Sequence, residues 1–211
     1  PIVLVYFAGR STVMTWEQEN FPAILNVWFG GSEAADAICD VVFGDVSPSG
    51  KLTTTFPKNV GQIPLYYNHL NTGRPLEAGK WFSKFRSNYL DIDNDPLYPF
   101  GYGLSYTTFR YGDLQLSNNS MNEKGKITAS VTVTNTGSAA GKDVVEIYND
   151  PPYTNGGIEK ASANLLDFAK TSELAPGESE TIDFTIPVED LASYDYQNNG
   201  CYVLEAGDYI I

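Results

Sequence analysis

The first part of the chain alternates continuous apolar runs with glycine-rich breaks. Residues 2–7 and 23–29 are two such runs, rich in β-branched and aromatic side chains. Uninterrupted apolar runs of this length are typical of parallel strands that are covered on both faces. Gly30 and Gly31 follow the second run, and apolar positions then recur at helical spacing over residues 32–43. This succession of strand, tight turn and helix predicts an α/β unit with a parallel sheet.

A third strand is predicted at residues 51–56, and Pro57 closes it because proline cannot donate to a strand ladder. From there to residue 105 no period is visible, while prolines and aromatic side chains are frequent. An irregular stretch of such length inside a compact domain is uncommon and is often functional. Residues 57–105 are therefore predicted to form a long aromatic loop that packs over neighbouring surfaces.

The second half of the chain has the pattern of an all-β domain. Residues 126–135 alternate between polar and apolar side chains, which predicts a strand with one buried face. Short strands separated by turn signals at roughly 8–12-residue spacing indicate a β-sandwich or barrel. The chain thus divides into an α/β part, residues 1–105, and an all-β part, residues 106–211. Further strands are predicted at residues 143–149, 165–170, 181–188, 200–204 and 209–211.

Charge is unevenly distributed between these two parts. The chain carries 26 acidic and 13 basic residues, a formal net charge of −13. Residues 1–105 hold 10 acidic and 7 basic side chains, whereas residues 106–211 hold 16 and 6. Such a negative surface repels phosphate groups, which makes nucleic acids and anionic membranes poor partners. A single histidine and two cysteines exclude a multi-histidine metal centre and a cysteine-rich metal site.

Both ends of the chain have the pattern of the middle of a domain. Residues 2–7 form a dense apolar run with no connecting segment that leads into it, and residues 205–211 stop inside a predicted strand. We therefore expect the chain to be a fragment of a larger protein. A secretion signal would lie outside this window, so a periplasmic, an extracellular and a cytoplasmic location all stay open.

Three segments are characteristic of a protein family and not only of a fold class. They are FAGRSTVMTW (7–16), the stretch from NVWFGGSEAADAICDVVF to PLYYN (26–68), and PLYPFGYGLSYTTF (96–109). Together they closely resemble glycoside hydrolase family 3, the β-glucosidase and β-xylosidase family. Residues 1–105 are similar to the end of that family's α/β-sandwich domain.

Residues 106–211 resemble the fibronectin type III-like domain of the same family. The match rests on VTNTGSAAGKDVVEIY (133–148) and LAPGESETIDFTI (174–186). The resemblance implies a fold class of α/β, in the form of a partial α/β sandwich, followed by an all-β, immunoglobulin-like or fibronectin type III-like sandwich.

The resemblance also implies an activity, that of a retaining exo-β-glycosidase that releases terminal, non-reducing β-D-glucosyl residues. Xylose is the second choice of sugar, and no cofactor is implied. A retaining glycosidase uses two carboxylates about 5–5.5 Å apart, one nucleophile and one acid/base. In this family the nucleophile is an Asp of an N-terminal barrel, and the acid/base Glu precedes the segment matching residues 1–7. Neither is part of this sequence, so no catalytic residue is assigned and the chain alone is expected to be inactive.

Four side chains of the long loop are candidates for shaping a sugar pocket. Planar hydrogen-bond donors and aromatic faces suit sugars, and loops of this domain border the substrate pocket in the family. The alternative is structural, with the basic side chains paired to Asp91 or Asp95. The candidate substrate-binding residues are Arg74, Lys84, Arg86 and Tyr89.

Other chemically suggestive residues fit structural roles better. Glu17 and Glu19 are predicted to lie in a polar, solvated loop. Residues 91–95 (DIDND) mimic the spacing of a calcium loop, but the glycine and the distal glutamate of that motif are absent, so no metal site is assigned. His69 has no Ser or Cys nucleophile signature near it, which argues against a catalytic role.

Several further positions carry structural expectations. Trp28 and Phe29 are predicted to lie in the core, as are the thiols of Cys39, on the inner face of the helix, and Cys201, in the sandwich. Residues 151–157 (PPYTNGG) are predicted to form a long exposed loop between strands, with contact to a partner domain or subunit as the alternative.

A non-catalytic carbohydrate-binding or adhesion module is the alternative function. Such a module needs a row of exposed aromatic side chains on one face of a sheet. The tyrosines of residues 106–211 are scattered among loops and strand ends, which disfavours this alternative. The expected partner is a β-linked oligosaccharide or glucoside, bound through the barrel that this sequence lacks. Whether the full-length enzyme forms a homo-oligomer stays open.

Overall fold

The computed structural model describes residues 2–70 and 72–211, and it divides the chain into two compact units. The predicted fold class is confirmed, because a parallel α/β unit is followed by antiparallel sheets. The boundary between residues 105 and 106 stays a prediction. The first unit comprises the residues through Tyr67 and Leu76–Tyr106, and the second comprises Asn68–Pro75 and Thr107–Ile211.

The first unit begins with the parallel strand pair that the sequence predicts. Strand β1 (Val3–Tyr6) and strand β2 (Ala23–Asn26) pair in parallel over all four residues of each. Helix α1 (Thr15–Asn20) lies between them in sequence, and helix α2 (Ala34–Phe43) follows β2. Gly44 ends α2 at a φ of 86°, a left-handed conformation that glycine adopts without a Cβ clash.

The prediction that Glu17 and Glu19 lie in a loop is wrong, because both belong to α1. The Phe21 N–H closes the last turn of this helix on the Glu17 carbonyl oxygen at 2.9 Å. Glu and Gln favour helices, but six residues are too few to show a helical apolar period. The helix was therefore invisible to pattern analysis.

The predicted third strand at residues 51–56 is also wrong. This extended segment forms an isolated bridge between Phe56 and Tyr98 instead of a ladder with β1 or β2. The Leu52 N–H donates to the Tyr102 carbonyl oxygen at 2.8 Å, and the Phe56 N–H donates to that of Tyr98 at 2.9 Å. The segment thus pairs with the far end of the long loop.

Residues 57–105 are largely irregular, as predicted, and aromatic rings organise the loop around the buried Phe56. The ring centroids of Trp28 and Tyr98 lie 5.9 and 6.2 Å from that of Phe56. Tyr98 in turn stacks on Tyr102 at 5.1 Å. Burial, with the neighbouring Tyr102 as a smaller cause, raises the pKa of Tyr98. These ring contacts give an irregular segment a fixed conformation.

The second unit is built from antiparallel strands. In chain order they are β3 (Phe109–Tyr111), β4 (Gln115–Leu116), β5 (Lys126–Asn135), β6 (Val144–Asn149), β7 (Asn164–Lys170), β8 (Ser179–Pro187), β9 (Ser193–Asp195) and β10 (Cys201–Val203). Strand β5 pairs with β3, β4 and β8, while β6 pairs with β7 and β9 with β10. The strand predicted at residues 209–211 is reduced to an isolated bridge between Ile210 and Asp150.

One hydrophobic core fills the sandwich. Alternate residues of β5, β6 and β8 point inward, as the period-two pattern predicts, while their neighbours remain accessible. The buried members of this core are Ile127, Ala129, Val131, Val133, Val145, Ile147, Leu174, Ile182, Phe184, Ile186, Val188 and Leu191.

Asn135 holds the turn at the end of β5. Its side-chain nitrogen donates to the carbonyl oxygens of Ala139 and Leu174, both at 2.8 Å. Its side-chain oxygen accepts from the Thr107 hydroxyl at 2.6 Å and from the Gly137 N–H at 3.1 Å. This amide is fully buried and fully hydrogen-bonded, so it fixes the chain entering and leaving the sandwich.

The first unit buries less than its sequence predicts. Neither β1 nor β2 contains a buried residue, so the expectation of strands covered on both faces is wrong for this structure. Trp28 is half-buried against Phe56, but Phe29 is 82% exposed and is not a core residue. Three of the four residues in each strand are half-buried, so the two strands are covered only in part.

The expectation of buried thiols is wrong as well, since both cysteines are exposed. Cys39 lies on α2, a helix with no buried residue. Cys201 lies at the start of β10, which pairs with the three-residue strand β9 in a small two-stranded sheet.

Candidate functional site

The long loop is anchored by Gln62, a buried amide that the sequence analysis did not single out. Its side-chain oxygen accepts hydrogen bonds from the N–H groups of Lys58 and Asn59 at 2.7 and 3.3 Å. Its side-chain nitrogen donates to the carbonyl oxygens of Asp93 and Asp95 at 3.2 and 3.1 Å. With 1% of its surface exposed, Gln62 ties the beginning of the loop to its end.

A recognisable signal for this anchor exists in the sequence. Asn59 and Gln62 form a capping box around the 3-10 turn Val60–Gln62, in which each side chain accepts a hydrogen bond from the other end of the turn. The Asn-x-x-Gln spacing is readable without a structure. It predicts a turn but not the distant carbonyl partners of Gln62.

An ion pair reinforces the same junction. Lys58 Nζ lies 2.6 Å from Asp93 Oδ1, which also accepts the Asp95 N–H at 3.1 Å. The acidic run 91–95 therefore binds a lysine that was not among the candidate residues. Within residues 2–70 and 72–211, no group of three or more His, Cys, Asp or Glu side chains could hold a metal ion.

Tyr89, a candidate from the sequence, adjoins this anchor. Its hydroxyl donates to the Gln62 carbonyl oxygen at 3.4 Å, and its side chain is half-buried. Asn88 braces the preceding turn by accepting the Ser83 N–H at 3.1 Å and donating to the Tyr89 carbonyl oxygen at 3.0 Å. The turn that carries Lys84 and Arg86 is thus closed by side-chain hydrogen bonds.

Arg86 belongs to a small charged cluster on the loop surface. Glu77 lies 2.5 Å from Lys80 Nζ and 4.0 Å from the Arg86 guanidinium group. The hydrogen bond from Lys80 and its charge, with a smaller effect of Arg86, hold the pKa of Glu77 below its ordinary value. At 4.0 Å the guanidinium group makes no close hydrogen bond to Glu77, and the Arg86 side chain is 42% exposed.

Aromatic rings surround the basic side chains of this turn. Lys84 Nζ lies 4.9 Å from the centroid of the Phe85 ring, a cation–π distance. Phe85 adopts a φ of 67°, which is uncommon for a bulky residue, and its side chain is exposed. Trp81 and Phe82 are also exposed, with their centroids 5.6 Å apart. Basic side chains and exposed aromatic rings are therefore adjacent in sequence around this turn.

Arg74 and His69 lie in the segment Asn68–Pro75, which belongs to the second unit, and both are exposed. The His69 ring nitrogen Nδ1 lies 3.1 Å from the Leu70 carbonyl oxygen. The structure therefore places Lys84 and Arg86 on one turn, with Tyr89 shortly after it in sequence, and assigns Arg74 to a different unit.

A second aromatic surface lies on the hairpin formed by β9 and β10. The paired Tyr194 and Tyr202 lie directly opposite each other, with ring centroids 5.3 Å apart, and Tyr196 follows β9. All three rings are exposed, Tyr202 to 74%. The sequence analysis judged these tyrosines to be scattered, because the pairing that brings them together depends on the hairpin register.

Asp195 holds the turn of this hairpin. Its carboxylate accepts hydrogen bonds from the N–H groups of Gln197 and Asn198, both at 3.0 Å, and from the Asn199 side chain at 2.7 Å. These hydrogen bonds, that from Asn198 first, hold the pKa of Asp195 below its ordinary value against the opposing effect of burial.

No helix in the described part of the chain is both long enough and apolar enough to cross a membrane. An open cavity of about 470 Å³ lies in the second unit, between the 116–123 segment and the C-terminal residues 204–211. Core side chains and asparagines line much of it, and it contains none of the candidate substrate-binding residues.

Comparison with known proteins agrees with this architecture. Residues 1–106 match the model of the glycosyl hydrolase family 3 C-terminal domain, and residues 143–211 match that of the fibronectin type III-like domain. An α/β unit of this kind followed by such a sandwich defines the C-terminal portion of family 3 enzymes. The chain belongs to glycoside hydrolase family 3.

The relatives are glycosidases. A periplasmic β-glucosidase of Salmonella typhimurium is 47% identical over 93% of this chain, and a β-xylosidase of Formosa agariphila is 40% identical over 90%. The crystal structure of a β-glucosidase from Listeria innocua in complex with glucose superposes with a TM-score of 0.90 over 99% of this chain, at 36% identity. The chain spans 25% of the length of each of the two relatives and 28% of the solved structure.

Proposed function

We propose that this chain is the C-terminal part of a retaining exo-β-glucosidase that hydrolyses terminal, non-reducing β-D-glucosyl residues. The observation that carries the proposal is the continuous 47% identity to a β-glucosidase across both units. Of the relatives described above, the β-xylosidase is the less similar, so glucose is favoured over xylose. The expected substrate is a β-linked oligosaccharide or glucoside.

In this proposal the chain is scaffold and pocket wall. The two carboxylates of the double displacement are supplied by other parts of the enzyme, and no cofactor takes part. The exposed turn with Lys84 and Arg86, braced through Tyr89 on Gln62, contributes donors to sugar hydroxyls. Arg74 stays a separate candidate on the same chemical ground, since it is an exposed planar donor.

The isolated chain provides the first test. Incubated with a chromogenic β-glucoside, it should show no turnover above buffer, whereas the full-length protein should hydrolyse this substrate faster than the matching β-xyloside. Turnover by the isolated chain would overturn the scaffold role. Faster cleavage of the xyloside by the full-length protein would overturn the assignment to glucose.

The pocket wall is tested by substitution in the full-length protein. Arg86→Ala should raise KM for the β-glucoside several-fold with a smaller change in kcat, because a uniform binding contact is lost. Arg110→Ala, an equally exposed arginine on β3 of the sandwich, is the matched control and should change neither constant. Equal effects of both substitutions on KM would contradict the proposal that Arg86 lines the pocket.

A second candidate function is favoured by the hairpin tyrosines. Tyr194, Tyr196 and Tyr202 supply the exposed aromatic row that a carbohydrate-binding module requires, next to the amide side chains of residues 197–199. Isothermal titration of the isolated chain with cello-oligosaccharides should then show binding that Tyr202→Ala weakens and Tyr153→Ala, on the exposed loop 152–157, leaves intact. Absence of heat with the unmodified chain would discard this candidate.

A further inference from the structure

The sequence contains two Asn-Gly dipeptides, Asn155-Gly156 and Asn199-Gly200, and they differ in how their amide groups are hydrogen-bonded in the structure. An Asn-Gly pair is the most reactive setting for spontaneous loss of an asparagine amide, because glycine leaves its own nitrogen unhindered. The reaction also requires a free asparagine side chain and a backbone N–H that is not hydrogen-bonded. Each of these requirements can be read from the structure for both pairs.

Asn199-Gly200 is held in place by Asp195. The Asn199 side-chain nitrogen donates to Asp195 Oδ2 at 2.7 Å, and the Asn199 N–H reaches the same oxygen at 3.2 Å. The Gly200 N–H donates to the Asp195 carbonyl oxygen at 2.8 Å. Both reacting groups, the amide carbon of Asn199 and the nitrogen of Gly200, are therefore restrained.

Asn155-Gly156 lies at the tip of an exposed turn. The turn is closed by the Gly157 N–H on the Thr154 carbonyl oxygen at 2.9 Å, which leaves the central Gly156 N–H outside the closing bond. No hydrogen bond among the described residues engages that N–H or the Asn155 side chain. Gly156 has a φ of 82°, and a Cβ added there would meet nothing within 4 Å.

The base of the same loop is fixed. Lys160 Nζ donates to the Pro152 carbonyl oxygen at 2.6 Å and pairs with Glu205 at 2.5 Å, while its own side chain is buried. Tyr153 and Glu159 approach each other at 3.4 Å across the loop. Since the base is held, the freedom of the chain is confined to the tip that carries Asn155 and Gly156.

We propose that Asn155 is a site of spontaneous deamidation in the folded protein, whereas Asn199 is protected by Asp195. The deprotonated Gly156 nitrogen attacks Cγ of Asn155, the new N–Cγ bond closes a succinimide ring, and the Cγ–Nδ2 bond breaks with release of ammonia. Water then opens the ring at either carbonyl and yields aspartate or isoaspartate. No oxidant, metal or enzyme is needed, and the loop gains a negative charge.

Peptide mapping by mass spectrometry tests the proposal with the chain as its own control. The folded chain is aged at neutral pH and physiological temperature beside a sample unfolded in urea. In the folded chain Asn155 should deamidate at least about tenfold faster than Asn199, because Asn199 reacts only after its hydrogen bonds to Asp195 open. In urea the two rates should converge. Equal rates in the folded chain, or a ratio unchanged by urea, would overturn the proposal.

Two further measurements separate the chemistry from the fold. Hydrogen exchange should be unprotected at the Gly156 amide and slowed at the Gly200 amide; protection of Gly156 contradicts the proposal. Asn155→Gln should remove the acidic species that accumulates on anion-exchange chromatography, since glutamine would have to close a larger ring. Asn119→Gln, an exposed asparagine followed by serine, should leave that species unchanged. Persistence of the species in Asn155→Gln would place the reaction elsewhere.

Discussion

The two units of this chain differ sharply in what they bury. The sandwich encloses a core of 12 buried residues drawn mainly from β5, β6 and β8. Among the described residues of the first unit, the buried apolar side chains are Met14, Phe56 and Pro57. The first unit instead leaves large apolar side chains exposed, among them Ile2, Phe29 and Phe43.

The difference shows that hydrophobic patterning specifies a face, whereas burial requires a second layer. Strand β5 has a facing sheet, so its alternating residues are shielded from water. The parallel pair β1 and β2 has an apolar pattern on both faces, but three of the four residues in each strand are only half-buried and none is buried. The sandwich should therefore contribute most of the stability, and all three tryptophans, Trp16, Trp28 and Trp81, report on the first unit.

The largest expected effect is on the sandwich core. Phe184 is 3% exposed, and Phe184→Ala should destabilise the sandwich by about 3–5 kcal/mol through lost burial and a cavity. Phe29→Ala is the matched change in the first unit and should cost less than about 0.5 kcal/mol, because an exposed ring loses little contact. Urea unfolding followed by far-UV circular dichroism measures both.

Similar losses of unfolding free energy in Phe184→Ala and Phe29→Ala would contradict the difference in burial between the two units, since they would mean that Phe29 is packed in solution. A tryptophan fluorescence transition that coincides with the circular dichroism transition in every variant would show that the two units unfold together. Separate transitions, with Phe184→Ala moving the circular dichroism midpoint alone, are expected.

The buried amides sharpen the comparison at a smaller scale. Asn135→Ala removes the hydrogen bonds that the buried amide makes to the Ala139 and Leu174 carbonyl oxygens and to the Gly137 N–H, so a loss of about 3 kcal/mol is expected. Gln62→Ala also removes hydrogen bonds, but the polar groups that it frees are more accessible to water than those around Asn135. The free energy of unfolding should therefore fall by only about 1 kcal/mol, measured by tryptophan fluorescence. The opposite order of the two losses would show that the loop anchor outweighs the sandwich turn.

Acid should act on the sandwich through Asp195. Its pKa is lowered by folding, so its stabilising effect is present above the unfolded value of about 3.9 and is lost as the pH falls through the folded value. Asp195→Asn removes this titration, and the urea midpoint should then depend less on pH below about pH 4. Exposed Asp113→Asn is the control and should retain the dependence of the unmodified chain. An unchanged slope in Asp195→Asn would contradict the role of Asp195.

Local pattern was sufficient for most of the fold. The period of residues 126–135 predicted β5 with both of its bounds, and the glycine after residue 43 marked the end of α2. Pattern failed where partners are distant in sequence. Residues 51–56 have strand composition, yet their partners are residues of the long loop, and nothing in a local window reveals that pairing.

The candidate site was predicted less completely. Composition drew attention to Lys84 and Arg86, which share one turn, and to Tyr89 just after it, but it could not separate them from Arg74, which belongs to the other unit. Gln62 and Asp195 were missed because their importance lies in backbone partners, and backbone groups leave no mark on a sequence. The hairpin tyrosines were missed because register brings them together.

The smallest expected effect concerns the ion pair of the long loop. Lys58 and Asp93 are each about one-third exposed, so Lys58→Met should cost only about 0.5 kcal/mol, detected as a small shift of the tryptophan fluorescence midpoint. Lys80→Met removes the more exposed pair with Glu77 and should leave that midpoint unchanged. Because solvent screens both pairs, the ordering depends on the partial burial of Lys58 at the Gln62 junction. A larger effect at Lys80 than at Lys58 would place the stabilising contacts of the first unit on its surface rather than at that junction.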